Sequence, residues 1–194
     1  MAMPYPHKIK KTMLKQGIPA EIMEQFVFPD SLSLETTIAF IDQMDQLLSK
    51  EQCLAIMEEQ GCVKTGKIDV ASRAFGQEHI GKTLEEKIKL LDKANIPYRP
   101  LDHCRLNPDG TFSVGRPRKG GESGGYQCGC YAITKSPQRP PHISQTYCGC
   151  CGGLWRHVYQ NALGVKLRLI EIVSSPHSSN GEKHCEVLFE IIDD

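Results

Sequence analysis

At 194 residues, with 23 Lys+Arg against 23 Asp+Glu, the chain is long enough for a domain with a real core and carries no net charge. That balance supplies no global field toward nucleic acid or an anionic membrane, so neither is an expected partner. Residues 1–8 carry charge with no apolar run behind them, and no later run approaches bilayer length, so a cytoplasmic protein is expected.

The first half reads as helical. Residues 20–27 form a short amphipathic piece closed by Pro29-Asp30. Over 34–48, Ile38, Ile41, Met44 and Leu48 recur at the three- and four-residue spacing of a helical stripe. Ser49 followed by Gln52 is a capping box, opening a helix expected to end at Gly61. Thr83 and Glu86 form a second box, starting a helix through Leu84, Ile88 and Leu91 that stops at Asn95-Ile96-Pro97.

The composition changes after Pro97. Residues 106–111 hold Asn107-Pro108-Asp109-Gly110, a turn between two short runs and hence a hairpin. Residues 115–125 are a glycine-rich basic loop without the lysine spacing of a phosphate-cradling loop. It reads as a mobile surface loop or as a flap in which Arg116 or Arg118 meets an anionic ligand.

Residues 153–163 form a helix with Leu154, Val158 and Leu163 inward and Gly164 as its left-handed cap. Residues 165–173 partly alternate and are β-branched, a strand. A loop with Pro176, Asn180 and Gly181 leads to a second, antiparallel strand over 185–191. The expected fold is α+β: a helical region over 1–97, then a cysteine-rich α+β region over 98–194 whose small antiparallel sheet carries a packed helix. The two regions are either separate or one continuous globular unit.

Nine cysteines need a reason. In a reducing compartment, and with an odd count, a disulfide framework is not expected. Six of them cluster: Cys128-Gly129-Cys130, then Cys148-Gly149-Cys150-Cys151, then Cys185. A glycine between two cysteines lets the chain bend so that both thiolates face one ion and backbone N–H groups meet sulfur. Eleven helical residues run about 16 Å outward and nine strand residues return about 30 Å. That geometry allows His184 and Cys185 to lie near Cys148. The simplest expectation is zinc held by four of Cys128, Cys130, Cys148, Cys150, Cys151 and Cys185, with an iron–sulfur cluster as the alternative.

A third reading makes Cys151 a nucleophile. At the start of the expected helix its thiolate would be favoured, and His177 or His184 could serve as base in a cysteine-dependent hydrolase. Cys53 lies with Ile56 and Met57 and reads as core; Cys62 is ambiguous, and Cys104 is a candidate outer member of the site. His157 reads as exposed or simply hydrogen-bonded, and Trp155 with Tyr159 as packing.

The tail from Cys148-Gly-Cys-Cys-Gly-Gly-Leu-Trp to Ala162-Leu-Gly164-Val-Lys-Leu, and then Gly181-Glu-Lys-His-Cys185-Glu-Val-Leu-Phe-Glu-Ile191, resembles the 4-vinyl reductase-type ligand-binding domain. It is similar in the same way to the L-2-amino-thiazoline-4-carboxylate hydrolase-like proteins. The resemblance implies a ligand pocket beside a cysteine site in a sensor or accessory module. Cys148 or Cys151 would match the family's helix-start cysteine and Cys185 its last-strand cysteine. The family's further cysteine is replaced here by Ser174-Ser175-Pro176-His177-Ser178-Ser179, which leaves Cys128 and Cys130 as substitutes. The function expected is therefore a metal-binding α+β protein with a small-molecule ligand or a sensory or accessory role. Whether it is an enzyme is left open, and a homo-oligomer is compatible with all of this.

Overall fold

Local side-chain chemistry fixes where several helices begin. A computed structural model describes residues 4–31, 33–61, 65–91, 93–94, 103–120, 124–136 and 142–192. Helix α1 (Pro6–Lys15) has Pro6 where a missing N–H costs nothing, and it buries Ile9 and Met13 one turn apart. A short α2 (Ala20–Met23) follows. Ser33 and Thr36 cap α3 (Leu34–Leu47) reciprocally. Ser49 and Gln52 do the same for α4 (Lys50–Glu58), at 3.2 and 2.9 Å. Helix α5 (Lys67–Glu78) starts after Gly66, whose φ of 76° suits a residue without a Cβ. Thr83 and Glu86 exchange bonds of 2.8 and 3.3 Å at the start of α6 (Leu84–Leu91).

The second half builds the sheet. Strands β1 (His103–Leu106) and β2 (Phe112–Arg116) form the expected hairpin. A one-turn α7 (Tyr131–Thr134) and the long α8 (Gln145–Leu163) precede β3 (Lys166–Ser174) and β4 (Cys185–Ile192). The strand order is β1-β2-β4-β3, with every neighbouring pair antiparallel. The fold is α+β, with a small antiparallel sheet carrying a packed helix.

Helix α8 is the hub. Its Trp155, Val158, Tyr159, Ala162 and Leu163 bury against Phe112, Leu167, Leu169 and Phe189 of the sheet. Tyr159 meets Phe112 edge to face at 5.4 Å between ring centres. The earlier part of α8 joins the other hydrophobic cluster, where Tyr147 and Cys150 pack with Phe40, Met44, Ile56 and Met57 from the N-terminal helices. At its end, Gly164 takes φ 71°, and the buried Lys87 donates from Nζ to the Leu163 carbonyl at 2.7 Å. On β3, the Leu169 N–H donates to Glu58 Oε2 of α4 at 3.0 Å. The edge of the sheet is thus closed there by a helix side chain rather than left open.

One boundary differs from expectation. Helix α8 begins at Gln145, capped by Ser144 accepting from Thr146 N–H at 3.1 Å, and not at Gly153. The cysteine-rich stretch is therefore helical. The stop at Asn95-Ile96-Pro97 and the ambiguous Cys62 lie outside the described residues.

Candidate functional site: a thiol-lined cavity

A helical Cys148–Cys151 stretch sends its side chains in different directions. Residues three apart share a face, whereas residues two apart do not. Cys148 and Cys151 accordingly open onto one cavity, while Cys150 is buried in the cluster with the N-terminal helices. The intervening glycines do not bend the chain around an ion. A Cβ at Gly149 would stand 2.7 Å from Met57, and one at Gly152 would stand 2.7 Å from a Leu169 methyl. They are small because α4 and β3 press directly on the helix.

Two other segments complete the cavity. Cys130 is the residue capping α7, with Cys128 just before it, and Cys185 opens β4 opposite Arg116 of β2. The cavity encloses about 360 Å³. Cys128, Cys130, Cys148, Cys151 and Cys185 line it, with apolar walls from Ile68, Leu154, Trp155, Ile172 and Val187. Arg116 and Arg118 line it as well, and the Arg116 guanidinium carbon sits 5.7 Å from the Trp155 ring centre. The segment carrying Arg118 is fastened: Gln127 N–H donates to the Arg118 carbonyl and Tyr126 N–H to that of Gly181, both at 2.8 Å. The described part of the glycine-rich stretch is a folded strap beside the cavity, not a free loop. Ile68 belongs to α5, which no sequence signal had marked.

The sulfurs form two hydrogen-bonded sets. In one, the Cys185 thiol donates to Cys128. That bond, with help from His177 and from the Cys130 N–H at 3.4 Å, overcomes burial and lowers the Cys128 pKa to about 5. Cys185 is correspondingly pushed up, by donating to Cys128 and by burial. In the other set, Cys130 is raised by its hydrogen bond to Cys151 and by burial. Cys151 is itself raised: the Cys130 bond favours its thiolate, but its bond to Cys150 and its burial prevail. Burial lifts Cys148 to about 12 despite a bond to Ser175.

These directions move the reactive sulfur. Cys151 lies well inside α8, not at its start, so the helix terminus does not favour its thiolate. The lowered pKa falls on Cys128 instead, and His177 is its neighbour. His184 faces elsewhere, 5.4 Å from the Tyr126 ring and 3.8 Å from Glu186 Oε2. His157 bonds Asp69 at 2.8 Å. Cys53 is core, its thiol donating to the Met44 carbonyl at 3.4 Å, and Cys104 packs against the sheet–helix core without lining the cavity.

The metal expectation is corrected by the same geometry. Among the described residues no group of three or more His, Cys, Asp or Glu is arranged to hold a metal ion. A zinc centre built from Cys128, Cys130, Cys148, Cys150, Cys151 and Cys185 is not formed, and neither is the four-thiolate shell of an iron–sulfur cluster. The helix turns Cys150 toward the N-terminal helices, and the five cysteines that line the cavity are spread over its wall instead of converging on one point. Among the described residues no helix is long and apolar enough to cross a membrane.

No family model and no curated protein matches the chain. Similar solved structures include an H-NOX protein from S. oneidensis in the Fe(II)NO state, at 12% identity, covering 96% of this chain and 90% of that one with a TM-score of 0.32. The H-NOX domain from Shewanella oneidensis in the Fe(II)CO state is another, at 14% identity over 100% of both chains with a TM-score of 0.34. Overlaps this loose do not define a shared architecture. The 4-vinyl reductase-type and hydrolase-like reading of the tail is corrected, since no family model matches the chain. Its structural premise also fails, since Cys148 and Cys151 lie within a helix and not before one.

Proposed function

We propose that this protein binds a small, largely apolar organic molecule bearing an anionic group in the thiol-lined cavity. The carrying observation is the cavity itself: about 360 Å³ walled by Leu154, Trp155, Ile172 and Val187, with Arg116 and Arg118 at the same space. Binding sites for small molecules are commonly of this kind, apolar with a few polar groups that fix orientation. Burying the ligand's apolar body supplies affinity at about 25 cal/mol per Å². The guanidinium groups select the anion through charge-assisted hydrogen bonds. The Cys128 thiolate stands on the wall and limits how close the anionic end can approach, so that end belongs toward the arginines.

Trp155 is the chain's single tryptophan and reports on the cavity it lines. Titration with anilinonaphthalene sulfonate, an apolar anion, tests the reading. Saturable binding with energy transfer from Trp155 is expected, and Arg116→Gln should weaken it roughly tenfold, the loss of one charged hydrogen bond. Leu154→Trp, which fills the space, should abolish it. Binding that is indifferent to both changes places the probe elsewhere and removes the proposal.

A further inference from the structure

A second chamber lies on the other side of Cys128. It encloses about 680 Å³, and Gly120, Gln127, His177 and Asn180 are among its lining residues. Cys128 and Ile133 form the wall common to both chambers. Cys128 therefore stands between an apolar space and a polar one. The Cys130 N–H points at its sulfur at 3.4 Å. Cys185 is brought beside it by the fold: both residues line the apolar cavity, and Arg116, the register partner of Cys185, stands against Gly129 next to Cys128. A sulfur held as an acceptor, with a second thiol beside it and a polar approach, is the arrangement a two-cysteine oxidation needs.

The geometry points to Cys128 and Cys185 as a peroxide-reactive pair, in which a small hydroperoxide entering the polar chamber oxidises Cys128 and Cys185 resolves the product as a disulfide. In the first step the Cys128 thiolate attacks the distal peroxide oxygen and the O–O bond breaks. The departing alkoxide or hydroxide takes a proton from solvent, leaving Cys128 as sulfenic acid. In the second step the Cys185 sulfur attacks the sulfenic sulfur as it gives up its proton. The S–O bond breaks, and hydroxide leaves with that proton as water. Two electrons pass from the two thiols to the hydroperoxide, giving one alcohol or water, one further water and one disulfide.

The other sulfurs are less suited. Cys150 is enclosed among the N-terminal helices, and Cys148 and Cys151 line the apolar cavity without reaching the polar one. Cys130 also lies outside the residues lining the polar chamber and donates to Cys151.

The test treats the full reduced chain with a few equivalents of hydrogen peroxide, blocks remaining thiols and maps the peptides by mass spectrometry. A Cys128–Cys185 disulfide is expected, forming at least tenfold faster than any oxidation of Cys104. Cys185→Ser should halt the reaction at a Cys128 sulfenic acid that dimedone traps, and Cys128→Ser should leave Cys185 reduced. Circular dichroism of both variants confirms that they are folded, and the trapped sulfenic acid supports the proposal even if Cys128→Ser is not. A first disulfide between other cysteines, or a Cys128 that resists peroxide, overturns it. Because Leu154→Trp blocks only the apolar cavity, disulfide formation in that variant separates this pair from the ligand reading.

Discussion

Gly153 of α8 lies so close to the Glu58 carbonyl of α4 that a Cβ there would stand 1.9 Å from the oxygen. The neighbour is backbone and cannot rotate away. This contact sets how closely α4 approaches α8, and with it the depth at which Cys148 and Cys151 face the cavity.

Gly153→Ala therefore separates this site from an ordinary helical glycine. In an exposed helix the change would stabilise by about 1 kcal/mol. Here overpacking should reverse the sign and cost about 2 kcal/mol net. Urea unfolding monitored by circular dichroism checks it: a lower midpoint is expected, and an unchanged or higher one would show that the helices can part freely.

Glu58 offers a second stability test. Its carboxylate takes the Leu169 N–H at 3.0 Å and pairs with Arg156 at 2.6 Å, with both side chains largely shielded from solvent. Glu58→Ala leaves a buried donor and a mostly buried cation, and should cost about 3 kcal/mol or more. Glu59 also pairs with Arg156, at 2.7 Å, but is 40% exposed. Glu59→Ala should cost under about 1 kcal/mol. Equal effects in urea titrations of the two variants would contradict this assignment.

The lowered Cys128 pKa predicts a distinctive pH profile. Its alkylation rate by iodoacetamide should be nearly level from pH 6 to 8 and fall as pH drops through about 5. An ordinary thiol instead gains about tenfold per pH unit up to its pKa near 8.5. The sign for stability follows. A folded-state value below the unfolded one makes Cys128 stabilising above the unfolded pKa, and that contribution drains away as pH falls toward 5. Comparing wild type with Cys128→Ser at several pH values isolates it. A rate that climbs steadily from pH 6 to 8 would mean that Cys128 is a protonated thiol.

The sequence spoke clearly where structure is local. Ser49 with Gln52, Thr83 with Glu86, and Gly164 act over three or four residues, and each stands where its chemistry placed it. The hairpin around Asn107-Pro108-Asp109-Gly110 and the alternating Leu167, Leu169 and Ile172 were equally plain. The stretch Cys148–Gly153 misled because each glycine weakens a helix by about 1 kcal/mol in isolation. That local penalty is outweighed once Gly149 meets Met57, Gly152 meets Leu169 and Gly153 meets Glu58, contacts made by residues distant in sequence. Helix α1 was missed because after Pro6 only Ile9 and Met13 of its apolar residues face inward, Leu14 being exposed, and the rest of the segment is rich in lysine. That sulfurs gather in this region was visible in their spacing. That Cys185 meets Cys128, while Cys130 meets Cys151, depends on the pairing of β4 with β2 and the rotation of α8, and no spacing reveals it.

Protection of Cys148 and Cys151 by a bound apolar anion tests the ligand reading most directly, because these two line the apolar cavity and not the polar chamber. With anilinonaphthalene sulfonate at saturation, maleimide labelling of Cys148 and Cys151 should slow by tenfold or more, while that of Cys104, which lies outside the cavity, stays the same. Undiminished labelling of both under saturating probe would show that the ligand sits elsewhere, and the thiol-lined cavity would not be the binding site.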